Sequence, residues 1–171
     1  MHFFVKKFAY IKKKPYLCGE IKIRPRMREI TEIIVHCTAN TERCKLTPSQ
    51  IIQDCQKRIG DKGGYHYIID LDGKLHVCYP TTEVAHHAEG HNKHSIGIAY
   101  IGGLDLDAKT PKNTLNIAQA DTLRICLLRL VSVFPAAKIK GHNEISNKAC
   151  PSFDVQDFCK KFGICQRNFF T

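Results

Sequence analysis

Ile30-Thr31-Glu32-Ile33-Ile34-Val35-His36-Cys37 is a short apolar run rich in β-branched residues that ends on an imidazole and a thiol. A run of this kind suits a strand covered on both faces, as the inner strands of parallel sheets are. Further along, Thr47-Pro48-Ser49-Gln50 has the form of a capping box with proline at the first helical position. It predicts a helix over residues 48–59, buried through Ile51, Ile52, Cys55 and Ile59 at helical spacing. Residues 65–70 and 74–79 read as strands joined by the tight turn Asp72-Gly73. A polar, His-rich loop over 85–94 leads into another apolar strand, 95–101. Residues 114–134 carry helical periodicity through Leu115, Ala118, Leu123, Ile125, Leu127, Leu128 and Val131, and Pro135 stops them. A short strand over 137–140, a loop over 141–152 and a helix capped by Asp154 and ending near Gly163 complete the pattern. Three helices and about five strands in mixed order predict a single α/β domain, a central mixed sheet flanked by helices.

The 171 residues are enough for one domain with its own core, and a hydrophobic share of 43% excludes wholesale disorder. No run of 18 apolar residues occurs, so no transmembrane segment is expected. A net charge of +10 invites a nucleic-acid reading, but that charge is concentrated at one end. Residues 1–28 hold nine Lys or Arg against one acid, while the other 143 hold 17 basic and 15 acidic side chains. The chain therefore divides into a basic N-terminal arm, 1–28, and a nearly neutral domain, 29–171. The arm suits any polyanion, anionic wall polymers included, and the balanced domain disfavours nucleic acid as its partner. It lacks the h-region and cleavage site of a signal peptide, because Lys6, Lys7 and Lys12-Lys13-Lys14 interrupt its apolar residues. Met27 as the natural start would make residues 1–26 an upstream extension. Nine cysteines, an odd number with no C-x-x-C, read as reduced thiols packed as small hydrophobes.

Ligand-type residues fall at the ends of elements. His36 ends a strand, His142 opens a loop, and Cys150 lies eight residues later in that loop. Two imidazoles and one thiolate are a common protein set for a catalytic zinc, leaving the fourth tetrahedral position open. Spacing alone does not bring the three together: a histidine at a strand end is more often a polar core or surface residue, and a lone cysteine is more often buried packing. His87-Ala88-Glu89 matches half of the zinc-deaminase signature, but no Pro-Cys-x-x-Cys accompanies it.

The surrounding words are more specific. Ile33-Ile34-Val35-His36-Cys37-Thr38-Ala39, Gly64-Tyr65-His66-Tyr67-Ile68-Ile69, His87-Ala88-Glu89-Gly90-His91-Asn92, Ser95-Ile96-Gly97-Ile98 and the block from Gly141-His142-Asn143-Glu144 to Lys148-Ala149-Cys150-Pro151-Ser152-Phe153-Asp154 occur in one order. Together they closely resemble the zinc-dependent N-acetylmuramoyl-L-alanine amidases of the type 2 family, which includes phage T7 lysozyme and the peptidoglycan recognition proteins. The resemblance spans roughly residues 29–160. It implies a central mixed sheet flanked by helices. It also implies hydrolysis of the amide joining N-acetylmuramic acid to L-alanine in peptidoglycan, by an endolysin or a wall-remodelling enzyme. On it, His36, His142 and Cys150 match the zinc ligands. Tyr65 matches the tyrosine that contacts the attacking water or the reacting carbonyl, and Lys148 the catalytic lysine of the phage-type enzymes. His87 and Asn92 match a loop that lines the peptidoglycan groove.

Some positions depart from that pattern or stand outside it. His91 sits where phage-type enzymes often carry an aromatic residue, and His86 and His94 read as surface histidines. Cys37 should point away from His36 into the core. Glu144 is a weak candidate for the acid that protonates the leaving amine, a solvated loop residue being the first reading. The alternative function is a non-catalytic peptidoglycan-binding module, against which the presence of Cys150 argues. A partner-binding role is a third. No export signal is visible, so synthesis in the cytoplasm and action on the wall after release or dedicated export is the expectation.

Overall fold

The apolar run that ends at His36-Cys37 lies second from one edge of the sheet, with a parallel neighbour on each side and cover on both faces. A computed structural model describes residues 28–164. In chain order the elements are β1 (Glu32–Cys37), β2 (Asn40–Thr41), α1 (Pro48–Ile59), β3 (Tyr67–Ile69), β4 (Leu75–Val77), β5 (Ser95–Tyr100), β6 (Gly103–Leu104), α2 (Ile117–Val133), β7 (Lys138–Gly141) and α3 (Val155–Lys161). The main sheet has the order β4-β3-β5-β1-β7; β4 is antiparallel to β3 and every other pair is parallel. This is the mixed sheet and three-helix α/β fold that the sequence predicts. The parallel pair β2–β6 was not expected, because two residues per strand are too few to show any periodicity.

Alternation along β1 sorts its side chains. Ile33, Val35 and Cys37 face one core, with Ile96, Ile98 and Tyr100 of β5, Leu123 and Leu127 of α2, and Phe158 of α3. On the other face Ile51 and Cys55 of α1 pack on Ile68, Ala99 and Ile101. Each buried Ile, Leu, Val or Phe among them contributes about 1.5–3 kcal/mol by leaving water. His36 shares the α1 face of the strand. Its position follows from that alternation alone.

The helices begin where their caps place them. Thr47 Oγ1 accepts from Gln50 N at 3.3 Å while Gln50 Oε1 accepts from Thr47 N at 2.8 Å, completing the expected box. Ile59, expected in the core, is 53% exposed, because the helix ends there over the cleft described below. α2 starts later than the periodicity predicts, since Asn116 Oδ1 accepts from Gln119 N at 2.9 Å and caps the helix there. Its buried stripe is Gln119, Leu123, Cys126, Leu127 and Leu130, and Ile125 and Leu128, expected inside, are 38% and 37% exposed. Asp154 caps α3 as expected, its Oδ1 accepting from Asp157 N at 2.9 Å. The turn between β3 and β4 places Gly73 at φ +80°, with Asp70 Oδ1 accepting from Asp72 N and Lys74 N at 3.0 and 2.9 Å.

Of the expected basic arm, only Arg28 falls within the described residues. Its guanidinium donates to the carbonyls of Thr81, Asn92, Lys93 and Ser95 at 2.7, 3.2, 3.1 and 2.9 Å, which ties it to the domain. The seven cysteines among the described residues are all free thiols, in line with the reduced reading. No helix among the described residues is long and apolar enough to cross a membrane.

Candidate active site

Two chain segments bring three side chains together at the carboxyl end of β1, where open α/β sheets commonly build their sites. β1 delivers His36. The loop after β7 delivers His142 at its start and Cys150 at its end, and Asn143 N donates to Cys150 O at 2.6 Å, folding the two ends together. Tyr100 Oη donates to Pro151 O at 2.7 Å and anchors the same loop to β5. One nitrogen of each imidazole and the Cys150 sulfur lie within 4.8 Å of one another. His36 Nδ1 is 3.7 Å from Cys150 Sγ, and the His36 and His142 ring centroids are 4.5 Å apart.

The electrostatics favour neutral imidazoles. Burial, reinforced by His87, His142 and Lys148, holds His36 well below the ordinary histidine range. Burial and the nearby Lys148 ammonium lower His142 as well. Cys37 N donates to Cys150 Sγ at 3.1 Å, a contact that favours negative charge on that sulfur. Against it, the Cys37 thiol and then burial push Cys150 upward. Cys37 itself lies in the core, as its place in the strand predicts.

Tyr65 stands over the cluster, its ring 5.1 Å from that of His36 and its hydroxyl donating to Cys37 O at 3.4 Å. Burial raises its phenol well above the usual tyrosine value, so it stays a proton donor. Lys148 is exposed on the rim of a cleft of about 760 Å³ lined by Ile59, His86, His87, Asn92, His142 and Ser146 among others. A larger groove of about 890 Å³ lies between the start of α2 and α3, and no imidazole or thiol lines it.

His87 and Asn92 both reach the cleft wall. Asn92 Oδ1 accepts from His87 N and Ala88 N at 2.9 and 2.8 Å, pinning the loop. His87 Nδ1 is 3.0 Å from His36 Nε2, and its Nε2 is 3.2 Å from Ser95 Oγ. His91 pairs with Glu32 at 2.6 Å, which also binds Lys140 at 2.7 Å, and His94 is exposed. Glu144 accepts from Gly141 N at 2.6 Å and from Gln156 Nε2 at 3.1 Å. That engagement makes it a capping residue rather than a free acid.

Residue-type reasoning passed over His66, Arg28, Ser95 and Gly97. His66 is fully buried; Gly97 N donates to its Nδ1 at 3.0 Å, and its Nε2 lies 2.7 Å from Arg28 Nη2 and 3.1 Å from Glu83 O. The words Gly64-Tyr65-His66 and Ser95-Ile96-Gly97 contained the signal, but the roles of His66, Ser95 and Gly97 are visible only beside their neighbours in the fold.

A mixed α/β sheet carrying this cluster in an open cleft is an arrangement suited to metal-assisted hydrolysis. The chain belongs to the N-acetylmuramoyl-L-alanine amidase family, whose profile matches residues 26–153. The endolysin of Escherichia phage T7 is 33% identical over 141 residues, covering 82% of this chain and 93% of that protein. The endolysin of Enterobacteria phage T3 is similar to the same extent, 33% over 141 residues, with coverage of 82% and 93%. Among solved structures, the endolysin amidase LysCS of Clostridium intestinale URNW has a TM-score of 0.67 and 25% identity, covering 79% of this chain and 84% of that one.

Proposed function

We propose that this amidase cleaves the amide between N-acetylmuramic acid and L-alanine in peptidoglycan, with zinc held by His36, His142 and Cys150. The observation that carries the metal assignment is the meeting of the three donor atoms within 4.8 Å. The donor set fits the ion. Tetrahedral zinc with a nitrogen at ~2.0 Å and a sulfur at ~2.3 Å separates the two by roughly 3.5 Å. The His36–Cys150 distance of 3.7 Å agrees with that. Both imidazoles are kept neutral by their surroundings, as ligands must be. When bound, zinc supplies Lewis acidity toward the substrate carbonyl and a water acidified toward a pKa of about 7.

The remaining work falls to the chain. The scissile carbonyl lies over the cluster, between Tyr65 and Lys148. As the carbonyl carbon becomes tetrahedral its oxygen gains negative charge. The Tyr65 hydroxyl, kept protonated by burial, and the Lys148 ammonium donate to that oxygen. Both are more useful in the transition state than in the ground state, which is what catalysis requires. The glycan and stem peptide run along the wall that includes His87 and Asn92. The basic arm adds long-range attraction to anionic wall polymers, a reading supported by its charge in the sequence. Deleting residues 1–26 then weakens wall binding at low salt and has little effect at high salt.

The test is mass spectrometry of the products released from purified peptidoglycan, before and after chelation. Free stem peptides beginning at L-alanine, lost on chelation and restored by Zn²⁺, are expected. Wall binding with no release under either condition would replace this reading with a binding module.

A further inference from the structure

The hydrogen bonds around His87 have a direction, and following it from the outer end fixes where each proton sits. Ser95 is fully buried, and its hydroxyl donates its single proton to His91 O at 2.8 Å. At the 3.2 Å contact with His87, Ser95 Oγ is therefore the acceptor and His87 Nε2 the donor. A neutral His87 then has its lone pair on Nδ1, 3.0 Å from His36 Nε2. His36 must donate from Nε2, which leaves its Nδ1 lone pair facing Cys150 Sγ at 3.7 Å.

The backbone makes room for this arrangement. A Cβ on Gly97 would fall 2.6 Å from His87 Cγ, well inside van der Waals contact. The glycine in β5 thus leaves the slot that the His87 ring fills. Asn92 holds the backbone N–H of His87, and His66 packs edge-on to its ring at 5.6 Å. Both ring nitrogens of His87 are thereby spent inside the protein.

We propose that His87, backed by Ser95 and housed by Gly97, is a positioning residue that fixes the tautomer and orientation of His36 as a metal ligand. A ligating imidazole whose second nitrogen donates to a fixed acceptor is held in the binding tautomer and made more basic. This inference rests on the reading of His36, His142 and Cys150 as zinc ligands.

The experiment measures zinc affinity of the full chain by competition with a chromogenic chelator, with cobalt(II) absorption as a second readout of ligand geometry. His87→Ala is expected to weaken zinc binding by about 10–100-fold. His87→Asn, whose amide oxygen can occupy the Nδ1 acceptor position, should recover most of that loss. Gly97→Ala should weaken zinc binding and alter the cobalt bands, although it removes no polar group. Unchanged zinc affinity in His87→Ala, with only KM raised, would overturn the proposal and leave His87 as a wall of the substrate groove. Failure of the unaltered protein to bind zinc would instead bring down the metal assignment, and this inference with it.

Discussion

His36 Nδ1 and Cys150 Sγ lie 3.7 Å apart although 114 positions separate them in the chain. The pair is assembled by the parallel contact of β1 with β7, which carries the start of the Cys150 loop alongside the end of β1. Neither partner is mobile in the ordinary sense of a surface side chain. His36 is 1% exposed, and Cys150 is fastened through Cys37 N at 3.1 Å. A site built this way is ready for a metal before substrate arrives.

Cys150→Ser tests the thiolate directly. A hydroxyl is a poor donor to zinc at neutral pH, so the loss should exceed the 10–100-fold typical of outer partners. Metal content by mass spectrometry and clearing of a wall suspension should fall together. Full activity with full zinc content would sink the ligand assignment.

Tyr65→Phe and Lys148→Met probe the donors to the developing oxyanion. Each should lower kcat by ~10²–10³-fold, the usual cost of one such donor, with KM and zinc content little changed. A change confined to KM would assign the residue to substrate binding.

Stability should depend on pH through His66. Burial, with the Arg28 charge contributing, pushes its imidazole down to about 4 from an ordinary 6.5. Between those values the unfolded chain takes up a proton that the folded chain refuses. The protein is therefore at full strength above the ordinary value and loses stability as pH falls toward 4, by about 3 kcal/mol from this group. His36 and His87 are depressed in the same direction and add to the loss. Urea unfolding from pH 7.5 to 4.5 should show the decline, and His66→Asn should flatten it. An equal slope in the variant would contradict the assignment.

Chelation should lower Tm without unfolding the chain. Its two cores are built mainly from apolar contacts among β1, β3, β5, β7 and the three helices, with Cys150 of the ligand cluster only a partly buried neighbour of one of them. At a free zinc concentration 100 times Kd the bound ion stabilises by about 2.7 kcal/mol, roughly 5–10 °C for a domain of this size. Far-ultraviolet circular dichroism should be unchanged by the chelator at room temperature. Collapse of the spectrum would mean that the metal is structural.

Much of this molecule is determined locally, and local features are what a sequence displays. β1 is legible because Ile33, Ile34 and Val35 need cover on both faces, and α1 because the Thr47 and Gln50 side chains reciprocally cap each other's backbone. The order of the motifs carried the family, and with it the expectation that His36, His142 and Cys150 are the ligands. What the sequence could not determine is which partner each side chain meets. Ile125 and Leu128 have the right spacing for a core stripe, yet of the expected stripe the sheet's position against α2 buries Leu123 and Leu127 and adds Cys126 and Leu130 in their place. Arg28 counts as one more charge of a basic arm until four carbonyls, brought together from residues 81–95, close around it. His87 reads as nothing more than a groove residue until Ser95, Gly97 and His36 show where its two nitrogens go. Periodicity, caps and motif order belong to neighbours along the chain; hydrogen-bond direction and the space left by a missing Cβ belong to neighbours across it, and only the folded chain brings those together.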